Sequence, residues 1–213
     1  MASEAGRTVR AIFIQPPDKA PEKALLFMEG GSVEIELPSR NLSPEVDLPA
    51  GDLSAFVLSE APPAGEKPPQ GAQLVRIPEA WSRCILLFFP VPDNKAFPAR
   101  VIPLNASTGD FPLGHTLIYN VSPAKVAAKF GDLRVEVKPG GTASLKPPLA
   151  RFGDYPVAID CLFPGDSKPT SICRSQWQHD PEVRQLLFVT PAPGYKVPRV
   201  WSILDRPGGK DDR

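Results

Sequence analysis

Short apolar runs separated by proline- and glycine-rich turns form the main pattern of this chain. In residues 33–37 and 133–137, apolar and polar side chains alternate with the period of two that is typical of a strand with one solvent-exposed face. Turn residues recur about every 8 to 12 positions. The pattern predicts an all-β protein of about 14 to 16 short strands, arranged as an antiparallel β-sandwich with internal duplication and very little helix.

Two segments of the chain repeat each other without a gap. Residues 83–95 and 184–196 each begin with arginine, continue as an apolar run, enter a proline loop and end with lysine. A looser copy includes Arg10, and in all three places a second apolar run follows the loop. These second runs are residues 24–28, 100–104 and 199–204. We interpret the shared unit as a β-hairpin.

A second internal match supports duplication. Residues 47–59 and 110–122 share an aspartate, a proline, a glycine and a final serine at coincident positions. Two matches in the same order indicate a repeated β unit. The alternative interpretation is that both matches reflect the strand, turn and strand sequence that any sandwich uses.

The clearest break in the chain is the Pro/Gly-rich segment at residues 62–71, which has little to bury and cannot join a ladder. It predicts a division of the chain into two β units. The predicted segments are a disordered N-terminus at residues 1–7, a first β unit at 8–61, a linker or long loop at 62–71, a second and larger β-sandwich unit at 72–205, and a disordered tail at 206–213.

Two segments leave room for a helix. Residues 126–130 and 133–137, joined by Gly131 and Asp132, predict a tight hairpin, and a helix over residues 123–130 is the competing interpretation. Residues 180–183 predict a single helical turn with Asp180 as its cap.

Composition excludes several classes of partner. The 24 basic and 24 acidic side chains balance to a formal net charge of zero, so no polybasic surface predicts binding to nucleic acid or anionic lipid. No window is apolar enough for a membrane span, and residues 1–8 lack the apolar core of a secretory signal. A chain whose signal had been removed would show the same sequence.

The three cysteines allow two interpretations. Cys161 and Cys173 are each six residues from Ser167, so a hairpin centred on that turn would place them opposite each other and permit a disulfide. The alternative is two half-buried thiols on neighbouring strands. Cys84 lies within an apolar run, which predicts a small core residue.

Few side chains suit catalysis or metal binding. The chain has two histidines, and its two methionines, Met1 and Met28, do not follow the Cys and His spacing of a copper sandwich. His179 and Asp180 lie on one predicted loop, where neighbouring side chains diverge. No nucleophile elbow or phosphate-binding glycine loop occurs. We therefore predict no catalytic residue, no metal ligand and no cofactor.

Candidate contacts for a ligand or partner lie in the loops. Tyr195 is predicted at the tip of a proline-rich loop, and Lys95 and Lys196 end the two repeated loops. Trp177 and His179 are further candidates near the end of the chain. Exposed aromatic side chains can stack on sugars, although the tryptophans, which lie beside apolar runs, also suit the core.

One part of the chain resembles a known group of proteins. Residues 118–123, 130–132 and 137–141 combine an Asn-Val-Ser sequence, a short hairpin and a Pro-Gly turn. In this the segment resembles uncharacterised secreted bacterial β-sandwich proteins of unknown function. The resemblance implies an immunoglobulin-like sandwich and an extracytoplasmic setting, in the periplasm or at the cell surface, and a cytoplasmic location stays open.

These observations favour a non-enzymatic β-sandwich protein that acts in protein interaction, adhesion or cell-envelope assembly. The expected partner is another protein or a cell-envelope component, and a glycan is a further option. No binding to nucleic acid and no membrane insertion are expected. The alternative function is that of a carbohydrate-binding or carbohydrate-processing module that uses loop aromatics.

Overall fold

Strands account for all the regular structure in residues 6–63 and 65–206, the part of the chain that the structure, a computed structural model, describes. The sixteen strands are β1 (Arg7–Phe13), β2 (Lys23–Met28), β3 (Gly31–Glu36), β4 (Val46–Leu48), β5 (Leu53–Leu58), β6 (Gln73–Ile77), β7 (Arg83–Pro90), β8 (Ala99–Asn105), β9 (Thr116–Asn120), β10 (Lys125–Phe130), β11 (Leu133–Val137), β12 (Thr142–Leu145), β13 (Gly153–Leu162), β14 (Thr170–His179), β15 (Arg184–Thr190) and β16 (Arg199–Asp205). The predicted all-β fold is confirmed.

The chain divides into two compact units with the same topology, Met1–Asp110 with β1 to β8 and Phe111–Arg213 with β9 to β16. The sheets of the first unit have the orders β4-β1-β7-β8 and β3-β2-β5-β6. Those of the second have the orders β12-β9-β15-β16 and β11-β10-β13-β14. Adding eight to each strand number converts the first unit into the second, so an internally duplicated sandwich is confirmed.

Each unit also contains one parallel pair of strands, which the sequence pattern did not indicate. These pairs are β1 with β7 and β9 with β15. The remaining ladders between described strands are antiparallel. A parallel pair needs a connection that leaves the sheet and returns, and here the facing sheet of the same unit supplies that connection.

In the first unit, alternating apolar side chains of two facing sheets form one core. Val9, Ala11 and Phe13 of β1 are buried, and Ala24 and Leu26 of β2 in the other sheet belong to the same cluster. Because successive side chains of a strand point to opposite faces, every second residue enters this core. Burial of these side chains stabilises both sheets together.

The second unit is built in the same way. Val126 and Phe130 of β10 and Val157 of β13 share a core with Leu187 and Val189 of β15 in the facing sheet. The second core repeats the first in its layout, since β10 and β15 are the counterparts of β2 and β7.

The boundary between the units lies after residue 110, and not at residues 62–71 as predicted. Strand β6, which follows this segment, pairs with β5, and β7 pairs with β1. The segment is therefore a hairpin loop within the first unit, and the predicted division into residues 8–61 and 72–205 is corrected. Proline and glycine identify a loop, but they do not distinguish a loop inside a sandwich from a linker between two sandwiches.

The predicted disordered ends coincide only partly with the described residues. Residues 1–5 and 207–213 lie outside them. Arg7, however, begins β1, and its guanidinium donates hydrogen bonds to the carbonyls of Trp81 at 3.1 Å and Ile77 at 3.2 Å. Arg206 lies within 3.5 Å of Asp180. Specific contacts therefore hold both of these residues.

The repeated segments are only partly equivalent. The copies at Arg83 and Arg184 form the hairpins β7–β8 and β15–β16, as predicted. The copy at Arg10 is not a hairpin, because β1 and β2 belong to different sheets. The match between residues 47–59 and 110–122 is wrong as a structural repeat, since the first covers β4 and β5 and the second covers β9, the counterpart of β1.

The two segments with helical alternatives contain no helix. Residues 125–130 form β10, which pairs with β11 through the two-residue turn of Gly131 and Asp132, so the predicted hairpin is confirmed. Residues 180–183 form a turn, in which the Val183 amide donates to the Asp180 carbonyl at 3.3 Å. The helical turn predicted there is wrong, because β15 begins at Arg184 and leaves no length for a helix.

Candidate functional site

Strand β14 is an unusually long sheet edge. It has ten residues, Thr170–His179, and it lies at the end of the order β11-β10-β13-β14. The seven other edge strands in the described residues, β3, β4, β6, β8, β11, β12 and β16, have between three and seven residues. An edge strand presents unpaired backbone donors and acceptors along its outer side, so β14 offers a long row of them.

The sequence of β14 lacks the usual protection of an edge. Proline and lysine are absent from this strand although the chain has 28 prolines, and its one charged side chain is Arg174. A register shift opposite Ile159 and Asp160 is confined to one end of the ladder. From Cys173 to His179 the pairing with β13 is continuous. Seven residues of regular edge therefore have no further strand paired on their outer side, although the carbonyls of Cys173 and Gln176 accept from the side chains of Arg174 and Ser175.

The inner face of β14 is fixed to the core. Trp177 is partly buried and its ring lies 5.7 Å from that of Phe130 at an interplanar angle of 70°, an edge-to-face contact. Cys173 packs against the same core. Because these contacts hold the strand in place, the open edge is a preformed surface.

A row of basic side chains crosses the outer face of the same sheet. Arg134 of β11 pairs with Lys129 of β10, Lys129 pairs with Ala158 of β13, and Ala158 pairs with Arg174 of β14. We call Arg134, Lys129 and Arg174 the basic row. All three are exposed. With strands about 4.8 Å apart, Lys129 and Arg174 flank Ala158 at a backbone separation of about 10 Å.

The basic row borders a shallow depression of about 420 Å³. Ala127 and Ala158 are small lining residues on the outer face, and Lys129 and Arg134 line the depression beside them. The next row along the strands pairs Glu136 with Ala127 and Ala127 with Asp160. An alanine therefore interrupts each row of long charged side chains, which gives the sheet face its hollow.

The charges around the depression are not all paired. Arg174 lies 2.5 Å from Asp160, and Lys125 lies 2.5 Å from Glu136. In the described part of the chain, no ion pair joins Lys129 or Arg134 to an acidic side chain. Lys129 and Arg134 lie directly opposite each other on β10 and β11, and like charges in such positions repel. An anionic group nearby would reduce this repulsion.

The predicted loop contacts are not among the residues of the basic row or of the depression. Tyr195 is 72% exposed in the loop between β15 and β16. Lys196 lies 3.4 Å from Asp166 and 5.6 Å from the centre of the Phe163 ring, so it joins the β15–β16 loop to the loop before β14. Lys95 is exposed in the corresponding loop of the first unit.

The other two predicted contacts, Trp177 and His179, lie on β14. Trp177 belongs to its core-facing side, and His179 is 5% exposed, with no hydrogen-bond partner for Nε2 among the described residues. Burial lowers the pKa of His179, and the charge of Asp180 partly opposes this. His179 is at the end of the strand far from the loop that holds Asp166, so the predicted contacts of the second unit form no single site.

The cysteines are free thiols, and the disulfide between Cys161 and Cys173 is not formed. Cys161 pairs with Thr170 and Cys173 pairs with Ile159, because the register shift displaces the hairpin from the predicted centre. Burial raises the pKa of both thiols, and that of Cys84 to about 12. A raised pKa disfavours the reactive thiolate form.

One polar cluster was not predicted at all. Arg184 and Asp205 are opposite each other on β15 and β16 and form an ion pair that is almost wholly buried. The Arg184 guanidinium also donates to the Phe111 carbonyl at 3.0 Å and lies 5.0 Å from the centre of the Phe111 ring. The sequence signal that could have identified Arg184 is its position at the start of the repeated segment 184–196. The burial of the ion pair indicates a structural role.

Comparisons with known proteins add no family. No protein-family model matches the chain, and no curated protein matches it. Among the described residues, no group of three His, Cys, Asp or Glu side chains is placed to hold a metal ion. Residues 6–63 and 65–206 contain no helix that is long and apolar enough to cross a membrane. The described residues thus define the class by fold alone, as two β-sandwich units of the same topology, and the second unit has a ten-residue edge strand.

Proposed function

We propose that this chain is a non-enzymatic binding protein that captures an extended segment of another protein along β14. The observation that carries the proposal is the length of this edge, which has ten residues without proline and with one charged side chain, seven of them in continuous pairing with β13. An added strand would satisfy the open backbone groups of β14 and become the fifth strand of its sheet. This mode of binding takes affinity from main-chain hydrogen bonds and specificity from alternate side chains.

The counterpart strand in the first unit supports this assignment. β6 occupies the same place at the edge of its sheet but has five residues. The Gln73 side chain of β6 both donates to the Val101 carbonyl at 2.6 Å and accepts from the Val101 amide at 2.7 Å. The first unit thus has a short edge tied to β8, and the second unit has a long edge.

A displayed library of random ten-residue peptides, selected on the full chain, tests the proposal. We expect the selected peptides to be extended and to compete for one site. Amide groups of successive residues point to opposite edges of a strand, so one of Ser175 and Gln176 donates outward. Of the variants Ser175→Pro and Gln176→Pro, one should stay as stable as the parent chain and lose peptide binding.

The other proline variant is the matched control, because it removes a bond to β13 and should lower the unfolding temperature. A further control, Arg76→Pro, places proline on β6, the counterpart of β14 in the first unit. It should leave peptide binding unchanged. Peptides that still bind both folded β14 variants, or a selection that enriches no peptide, would contradict the proposal.

We also propose that this partner is a protein or another component of the cell envelope and that the chain acts outside the cytoplasm. The support is the resemblance to secreted sandwich proteins. Fractionation of the native host with an antibody against the chain should place it in the periplasmic or surface fraction. Recovery in the cytoplasmic fraction would reject this setting and leave the edge-binding proposal intact.

A carbohydrate-binding function is the second candidate, and the exposure of Tyr195 favours it. Its ring is 72% exposed at a loop tip, beside Val197 at 39%. A sugar would stack on the ring, so a glycan array should show binding that Tyr195→Ala abolishes. An array without any response would reject this candidate.

A further inference from the structure

The outer face of the sheet that contains β14 indicates the charge of the captured segment, in addition to its extended shape. The basic row crosses all four strands and ends at Arg174 on the edge itself. A strand added to β14 would continue this row, with one of its outward side chains directly opposite Arg174. Opposite charges at such a position stabilise a pair of strands, and like charges destabilise it.

The charge balance of the row is uneven. Asp160 accepts from Arg174 at 2.5 Å, and Arg174 also donates to the Ile159 carbonyl at 3.2 Å. Lys129 and Arg134, directly opposite each other, have no acidic partner within the described residues. The row therefore has surplus positive charge although the whole chain has a formal net charge of zero.

The depression makes the positive charges of Lys129 and Arg134 accessible to a partner. Lys129, Arg134 and Ala158 line it, and the small side chain of Ala158 leaves room beside Lys129, while Arg174 lies on the next strand. Glu136 and Asp160 belong to the neighbouring row, where Lys125 and Arg174 already neutralise them. An anion is thus favoured above Ala158 and less so above Ala127.

We propose that the captured segment is acidic, with a carboxylate opposite Arg174. Lys129 and Arg134 lie about 14 and 19 Å from the backbone of an added strand at a strand spacing of about 4.8 Å, so they attract the segment through space without direct contact. This inference rests on the proposed function, since it specifies the chemistry of the segment that pairs with β14. Negative charge on the segment would be attracted by the field of these two unpaired cations, most strongly at low salt.

The peptide selection described above provides the test. Peptides selected on the parent chain should be rich in aspartate and glutamate, and the affinity of a synthetic acidic peptide should fall as salt is added. In the variant Lys129→Gln/Arg134→Gln, that affinity should fall about two- to threefold at low salt. A peptide in which glutamine and asparagine replace the acids should bind the parent and the variant equally.

A matched control removes two positive charges elsewhere. Lys19→Gln/Lys67→Gln changes exposed side chains of the first unit and should leave the affinity unchanged. The substituted residues of the basic row have no ion-pair partner among the described residues, so the variant should keep the unfolding temperature of the parent chain.

The outcomes separate this inference from the proposed function. Selected peptides that bind along β14 without any acidic preference would overturn the acidic partner and keep edge capture. An equal loss of affinity in the first-unit control would also overturn it, because net charge alone would then explain the effect. Binding that is insensitive to both β14 proline variants would instead overturn edge capture.

Discussion

At the scale of single residues, buried polar groups at two places in the second unit should affect its stability. His179 and the Arg184–Asp205 pair are both buried on its strands. Burial of a polar group costs free energy unless a partner compensates, and these two cases differ in that respect. Arg184 has its carboxylate and carbonyl partners, whereas Nε2 of His179 has no hydrogen-bond partner in the described residues.

His179 should make the stability of the fold depend on pH. Burial lowers its pKa in the folded state below the ordinary value of about 6.5, so the unfolded chain binds a proton more readily. The stabilisation is complete above about pH 6.5 and is lost as the pH falls toward the lower folded pKa. Denaturant midpoints of the parent chain should therefore decrease from pH 7 to pH 5, and less so in His179→Gln.

His115 contributes in the same direction, since burial and then Lys146 lower its pKa. His115→Gln should remove a separate part of the dependence on pH, and the double variant should flatten it most. A double variant with the slope of the parent chain would contradict this account.

Removal of one partner from the buried ion pair should destabilise the protein strongly. Arg184→Leu leaves the Asp205 carboxylate without its cation and should lower the free energy of unfolding by about 3 to 5 kcal/mol. Arg83 is the matching residue of the first repeat, and it lies 3.2 Å from Glu45 in a partly exposed pair. Arg83→Leu should cost about 0 to 1 kcal/mol, as measured by urea unfolding.

The double variant Arg184→Leu/Asp205→Leu sharpens this test. It removes both charges together, so it should be more stable than Arg184→Leu alone. Equal losses at Arg184 and Arg83 would contradict the structural role of the buried pair.

At the scale of strands and turns, local contacts were predictable and distant pairings were not. The β10–β11 hairpin follows from a two-residue turn between alternating runs, because its partners are neighbours in sequence. The separation of β1 from β2 into different sheets has no such signal, since a period of two identifies a buried face but not the neighbouring strand. The basic row was missed for the same reason, because register brings Arg134, Lys129 and Arg174 together.

Crowding at one turn gives a prediction at this scale. Gly114 has a φ of +74°, and an added Cβ would lie 3.1 Å from Cγ of Pro147 and 3.2 Å from Cε1 of His179. Gly140 has a similar φ of +69°, but no atom lies within 4 Å of such a Cβ. Gly114→Ala should therefore destabilise the fold by about 1 to 3 kcal/mol more than Gly140→Ala.

Chemical denaturation of these two alanine variants measures the difference directly. The shared positive φ contributes a similar cost to both, so the comparison isolates the contacts with Pro147 and His179. Equal unfolding free energies for the two variants would contradict the crowding.

At the scale of the whole molecule, two units share one topology but have different edges. β6 and β14 have the same place in the strand order, yet β14 is twice as long and lacks the Gln73 tie that joins β6 to β8. The sequence predicted duplication from the Arg83 and Arg184 segments. The boundary between the two units was wrongly predicted at the Pro/Gly segment of residues 62–71, whereas it lies after residue 110. Of the five predicted contacts, Trp177 and His179 lie on β14, on its core-facing side, so the open edge itself was not foreseen.

Hydrogen–deuterium exchange with and without a selected peptide tests the central claim, that β14 is an open edge that pairs with an extended segment. Alternate amides between Cys173 and His179 point outward, and we predict that these amides become protected when peptide is added. Amides of β6 should exchange as before. Unchanged exchange along β14, with protection confined to the loop around Tyr195, would contradict the claim.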